Sequence, residues 1–283
     1  MIKAASPDFT KSKKNIIKDI DQILRLNEVS NGNFSKKFEK EISKFSGAKY
    51  VSTVTSGGTA LELAIKSLSL KGKEIIVPSQ TFIASVNAII RNGCKPIFCE
   101  IDPLTGCIDP KKIINKINKN TGAIMFVYMF GIIPKAVLQI KKICKEKKLF
   151  LIEDAAHAHG GKIGKYKAGS IGDVGCFSFY ATKILSIGEG GAVTTNDKKI
   201  YSKVEILKNH GRNKTEAIFR EVSNNYRLSE IQSIVGYHQS KYLKSNLLHR
   251  NFIAKIYFNK LKKINLVQLP KINKNSLNTF WRF

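Results

Sequence analysis

Three short segments of this chain carry residue types that could do chemistry together. Lys183 follows Ser178-Phe179-Tyr180-Ala181-Thr182 and precedes the cluster Gly188-Glu189-Gly190-Gly191. An amine confined at a strand exit loses solvation, its pKa falls and it becomes a nucleophile. Glu153 and Asp154 close the apolar run 149–152. That is where parallel α/β sheets bind ligands, and a carboxylate buried there needs a cation such as a protonated pyridine nitrogen. Ser56-Gly57-Gly58-Thr59-Ala60 sits between a strand pattern and a helix pattern. Helix-start N–H groups and the Thr59 hydroxyl at such a junction suit a phosphate. Singly, each segment has a plain structural explanation: a surface lysine in a Lys-rich chain, a pair of acids at a helix start, an N-capped turn. Their joint order is what matters: anion turn, acid at a strand end, lysine, glycine-rich strand.

The elements that must position these residues are legible as alternating patterns. Short β-branched and aromatic runs at 50–54, 74–77, 96–101, 123–128 and 149–152 read as parallel strands. Apolar-periodic segments at 60–68, 83–90, 111–117 and 136–144 fit crossover helices. Strands at 174–179 and 191–195 follow one another through a loop. A helix at 198–209 ends at His210-Gly211-Arg212, and a long helical stretch covers 228–261 with a break near Ser245 and Asn246. The closing segment Leu277-Asn278-Thr279-Phe280-Trp281-Arg282-Phe283 reads as an apolar strand that stops abruptly, with nothing after it to cover its side chains.

Composition bounds the answer. The 283 residues are 43% hydrophobic and 24% charged, enough for a sizeable core. No stretch approaches a membrane span, and the first residues lack the apolar centre of a secretory signal, so the cytoplasm is expected. Five cysteines without CxxC pairs read as reduced, buried thiols, and no metal site is expected. The net charge of +27 raises nucleic-acid binding. The lysines are dispersed, however, and no base-reading motif accompanies them, so no specific nucleic-acid partner is expected.

With these segments in hand, the chain resembles the DegT/DnrJ/EryC1/StrS family of sugar aminotransferases along nearly its whole length. The resemblance rests on TSGGTALELAIKSL, VPSQTFIASVNAIIRNG, IEDAAHAHGG, GDVGCFSFYATKILSIGEGGAVTTND, KNHGR and NNYRLSEIQSIVG. It implies an aspartate-aminotransferase-like α/β fold of type I: a large domain with a mostly parallel sheet flanked by helices over 1–240. A linking helix and the start of a smaller, truncated domain would follow over 241–283. It implies pyridoxal 5′-phosphate as cofactor, a Schiff base on Lys183, Asp154 at the pyridine nitrogen, and phosphate contacts from Gly58, Thr59 and Ser178. Phe82 would stack on the ring and His157 would lie beside the phenolic oxygen. Asn225 would reach a neighbouring subunit's phosphate, which implies a homodimer. The implied reaction moves an amino group from an amino acid, glutamate by the same resemblance, to a nucleotide-linked keto-sugar. Two alternatives stand beside it: cofactor-dependent sugar dehydration, disfavoured because Lys183 is present where those relatives carry His, and a catalytically impaired or regulatory protein on the same fold.

Overall fold

The computed structural model describes residues 7–30, 32–213 and 218–282. The amino-terminal helices α1 (Lys13–Arg25) and α2 (Asn33–Ser46) precede a regular alternation. It runs β1 (Tyr50–Val54), α3 (Gly57–Ser67), β2 (Glu74–Pro78), α4 (Ile83–Arg91), β3 (Lys95–Cys99), α5 (Pro110–Ile113) and β4 (Thr121–Val127). Then come α6 (Ala136–Lys147), β5 (Phe150–Asp154), the short β6 (Lys162–Ile163) and β7 (Tyr166–Lys167), β8 (Val174–Ser178) and β9 (Gly191–Thr195). The chain continues through α7 (Lys198–Leu207), α8 (Glu230–Ser240), α9 (Leu243–Leu261) and β10 (Ser276–Leu277).

Seven strands form one sheet in the order β1-β9-β8-β5-β4-β2-β3, and β10, β6 and β7 form a small second sheet. From β3 to β8 every ladder is parallel, whereas β9 pairs antiparallel with both β8 and β1. The expectation that β1 lies in a parallel ladder is therefore corrected. β1 runs in the same direction as the parallel strands, but the strand it bonds is the reversed β9, because β8 and β9 are joined by a loop and not by a crossover helix.

Strand alternation divides the core between the two sheet faces. On one side Ile76, Ile124, Phe126, Leu151 and Phe177 pack with Phe38 and Ile42 of α2 and with Val137 and Ile140 of α6. On the other, Ile75, Val77, Ala123, Met125, Ile152 and Cys176 pack with α3, Ala88 and Ile89 of α4, and Val204 of α7. This is a three-layer α/β/α arrangement, and β2 and β8 are buried at every position, as strands covered on both faces must be. Asp109, Asp197 and Ser229 cap α5, α7 and α8 by accepting from backbone N–H groups of the first turn.

Several boundaries differ from the sequence expectation. The helical segment at 111–117 is one α turn followed by a 3₁₀ turn, Ile114–Lys116. The helix from Lys198 ends at Leu207, ahead of left-handed backbone at His210 and Gly211. The break in the long helical stretch falls at Lys241-Tyr242 instead of Ser245-Asn246. The closing segment is not left uncovered: only Ser276–Leu277 is strand, and Asn278, Thr279 and Phe280 are buried. Phe283 lies outside the described residues. All five cysteines are buried free thiols, and no helix among the described residues is long and apolar enough to cross a membrane.

Glu153 and Asp154 are neighbours on β5 that point to opposite faces. Glu153 is fully buried and accepts from the Tyr128 hydroxyl, from Gly169 N–H at 3.0 Å, and from Ile171 and Gly172 N–H at 2.7 Å each. It is a structural clamp that ties the loop before β8 to β5. Replacing Glu153 with Ala leaves three N–H groups and a phenol without partners. A loss of about 3 kcal/mol or more of unfolding free energy is expected, measured by urea titration. A loss under about 1 kcal/mol would contradict the clamp.

Candidate active site

The carboxyl ends of β5 and β8 and the start of α3 meet at one place. Ser56 caps α3 from extended backbone, its Oγ accepting from Thr59 N–H at 3.0 Å. Thr59 Oγ1 lies 3.1 Å from Thr55 Oγ1 and 3.0 Å from Ser56 Oγ, so three hydroxyls gather where the first-turn N–H groups emerge. Ser178, the last residue of β8, closes against this turn. A Cβ on Gly57 would stand 2.6 Å from Ser178 Cβ, whereas a Cβ on Gly58 would meet nothing nearer than 3.8 Å. The glycine that packing requires is thus Gly57, part of the predicted turn but not among the phosphate contacts that the resemblance implies, and Gly58 has room. The carbonyl of Ser178 is held in turn by His159 Nε2 at 2.9 Å.

Asp154 ends β5 and is 6% exposed. Its Oδ2 accepts from Ser85 Oγ of α4 at 2.8 Å and its Oδ1 from Ala156 N–H at 3.2 Å. Burial raises its pKa, opposed by these two hydrogen bonds and by the charge of Lys183. Ser85 is a site residue that sequence reading missed. It lies three positions after Phe82 and is held by Thr81 Oγ1 at 2.8 Å.

Lys183 sits in the loop after β8, its backbone N–H donating to Tyr180 O at 2.8 Å. Its amine is pushed down to about 8, chiefly by burial and further by Arg282, while Asp154 acts in the opposite direction. His157 is pushed down to about 2 by burial, then by the charges of Lys183, His159 and Arg282, so its imidazole is neutral. The ring lies flat against Trp281, with centroids 3.7 Å apart and planes 7° from parallel. Phe82, at the N-cap of α4, is 71% exposed. Asn225 is exposed, and its Oδ1 accepts from Arg227 N–H at 3.3 Å. The structure thus brings Asp154, His157, Ser178, Lys183 and the α3 turn into one region and places Asn225 on the surface.

These groups suit pyridoxal 5′-phosphate. The crowding of Ser178 onto a helix start rich in hydroxyls and N–H groups matches a phosphate, and the buried Asp154 calls for a ring cation. The amine of Lys183 is depressed toward neutrality.

A model of the DegT/DnrJ/EryC1/StrS aminotransferase family matches residues 10–283. The chain belongs to that family. Family members are aminotransferases of fold type I that depend on pyridoxal phosphate. Among curated relatives, GDP-perosamine synthase of Escherichia coli O157:H7 is 39% identical over 256 residues, covering 89% of this chain and 69% of the relative. The dTDP-3-amino-3,6-dideoxy-alpha-D-galactopyranose transaminase of Aneurinibacillus thermoaerophilus is 36% identical, covering 87% and 68%. Among solved structures, a Bacillus subtilis protein with its bound cofactor PMP superposes with a TM-score of 0.86 at 26% identity, covering 99% of this chain and 66% of that one.

The two glycines of the family turn have opposite tolerances. Gly57→Ala drives a methyl into Ser178, and a loss of about 1–3 kcal/mol is expected from the cofactor-free chain. Gly58→Ala puts Ala for Gly in the first turn of a helix with room to spare, so stability should hold or rise by up to about 1 kcal/mol. Thermal unfolding of the two variants checks the pair, and equal losses would contradict the geometry.

Proposed function

We propose that this aminotransferase moves an amino group from an amino acid, with glutamate as donor, to a keto-sugar carried on a nucleoside diphosphate. The names of its relatives, a GDP-perosamine synthase and a dTDP-amino-sugar transaminase, support the substrate class. The observation that carries the reading is one buried site in which Asp154 and Lys183 interact electrostatically beside the hydroxyl-lined start of α3. Five buried free thiols fit a cytoplasmic setting.

Pyridoxal phosphate, when bound, supplies an electron sink for the carbon that gives up or takes up nitrogen. The chain's residues do the rest. The N–H groups at Gly57 and Gly58, with the hydroxyls of Thr59 and Ser178, bind the phosphate. Asp154, oriented by Ser85, keeps a proton on the ring nitrogen. Phe82 offers its exposed ring as a stacking face. Neutral His157 donates one N–H toward the phenolic oxygen without adding charge. Lys183 would anchor the cofactor through Nζ and, when free, would take up or give back a proton at the substrate α-carbon. An amine with a pKa of about 8 does both near neutrality. It is mainly protonated below that pH and mainly a free base above it, so a base-limited rate should fall as pH drops through 8.

Asn225 fits a role across a homodimer interface, its exposed amide reaching the phosphate held by the other subunit. Mixing inactive Lys183→Ala chains with inactive Asn225→Asp chains should then restore activity, because one site of each mixed dimer receives both intact residues. No recovery from chains that dimerise and exchange would overturn the shared site.

The reading is tested by assaying the chain with glutamate and a panel of nucleotide-linked keto-sugars. Asp154→Asn should keep cofactor but lose turnover by as much as about ten-thousandfold. Near-normal turnover in that variant, or no amino-sugar product from any member of the panel, would contradict it.

A further inference from the structure

The residue that touches both Lys183 and His157 lies in the closing segment, whose sequence reads only as an uncovered apolar strand. Trp281, the chain's single tryptophan, stands two residues from the carboxyl end. Its indole Nε1 donates to the carbonyl of Thr182 at 2.8 Å, which fixes the residue directly before Lys183. One ring lies flat on His157 at 3.7 Å between centroids, and Lys183 Nζ sits 4.5 Å from the ring centroid.

The segment carrying Trp281 is itself held firmly. Arg250 of α9 donates Nε to Phe280 O at 3.0 Å and Nη2 to Trp281 O at 2.7 Å. Thr279 donates its backbone N–H to Gly131 O at 2.9 Å and its hydroxyl to the carbonyl of His157. A Cβ on Gly131 would fall 2.0 Å from Thr279 Oγ1, so this seat is shaped around the threonine. Asn278 Oδ1 accepts from Ile133 N–H at 2.7 Å. The backbone leading into the indole, together with the carbonyl of Trp281 itself, is therefore fixed to the large sheet's loops and to α9, and the ring is presented from a rigid mount.

We propose that Trp281 is a positioning residue for this active site, holding the unattached Lys183 amine over its ring and the His157 imidazole flat against it. The proposal rests on the function given above. A lysine that both anchors a cofactor and, when released, carries a proton must stay close while detached. A cation over an indole face is held directionally by the ring quadrupole without being neutralised, as it would be by a second carboxylate. The stacked imidazole gains a fixed plane in the same contact. The indole N–H to Thr182 O sets the height of the lysine's backbone. Trp281 acts through Lys183 and His157, and no contact of its own with reacting atoms is required.

Two measurements on the full chain test this. In the cofactor-free chain, emission from the single tryptophan is compared among the unmodified protein, Lys183→Ala and His157→Gln. Both substitutions should change it, since both partners touch the indole. With pyridoxal phosphate added, the rate at which Lys183 acquires the cofactor is followed by visible absorption and peptide mapping. It should fall about tenfold in Trp281→Leu and stay within about threefold in Trp281→Phe, which keeps a ring. Equal rates in all three chains, or an equal loss in Phe and Leu, would overturn the proposal. Should Trp281→Leu fail to fold, the emission comparison and the Phe variant still decide. If the unmodified chain never takes the cofactor at Lys183, the function reading falls. The emission comparison needs no cofactor and then decides the tryptophan contact alone, and emission indifferent to both partners would overturn it.

Discussion

A carboxylate at the end of a buried strand is unfavourable unless something cationic meets it, and the site is arranged around that requirement at Asp154. Its strand lies at the centre of the sheet between β4 and β8, covered by helices on both faces. Water does not solvate it freely, and burial pushes its pKa up. Ser85 and the Ala156 N–H return part of the lost solvation, and the amine of Lys183 supplies charge. That amine pays a desolvation cost of its own, which brings it down to about 8. Each group is left short of what it would have in water, and a cofactor bearing a protonated ring nitrogen and a lysine-reactive carbonyl answers both shortfalls at once.

The same burial sorts the neighbouring groups by role. Glu153 is as deeply buried as Asp154 but receives four hydrogen bonds, so its charge is spent on holding the loop at 169–172. Asp154 receives two, and keeps capacity for a ligand. Among the histidines, His159 is held near 3 and fixes the Ser178 carbonyl, while His157 is held near 2 and faces the indole. Both remain neutral at physiological pH, which leaves Lys183 as the group beside Asp154 that titrates near neutrality.

Much of this was legible in the sequence where the physics is local. Buried parallel strands require apolar runs, so β2, β4 and β5 stood out, and the loop joining β8 to β9 showed as strands without a helix between them. Lys183 and Asp154 were legible because an anion turn, an acid at a strand end, a lysine and a glycine-rich strand follow one another in that order. What was not legible depends on contacts between distant segments. The antiparallel seat of β1 is set by β9, some 140 residues later in the chain. Gly57 is required because Ser178 closes on it, and Ser85 matters because α4 lays it against Asp154. Trp281 lies almost 100 residues beyond Lys183, in a segment whose apolar pattern reads as a bare strand. The helix break at Lys241-Tyr242 shows no glycine or proline, and polar residues a few positions later drew the expectation away from it.

The central claim is that Lys183 is the residue that carries the cofactor. The most direct measurement is borohydride reduction of the chain incubated with pyridoxal phosphate, followed by peptide mapping of the labelled lysine. With 283 residues so rich in lysine, selectivity is itself informative. The account requires a single stable label on Lys183, abolished by Lys183→Ala. A label distributed over other lysines, or a folded chain that takes none, would contradict it.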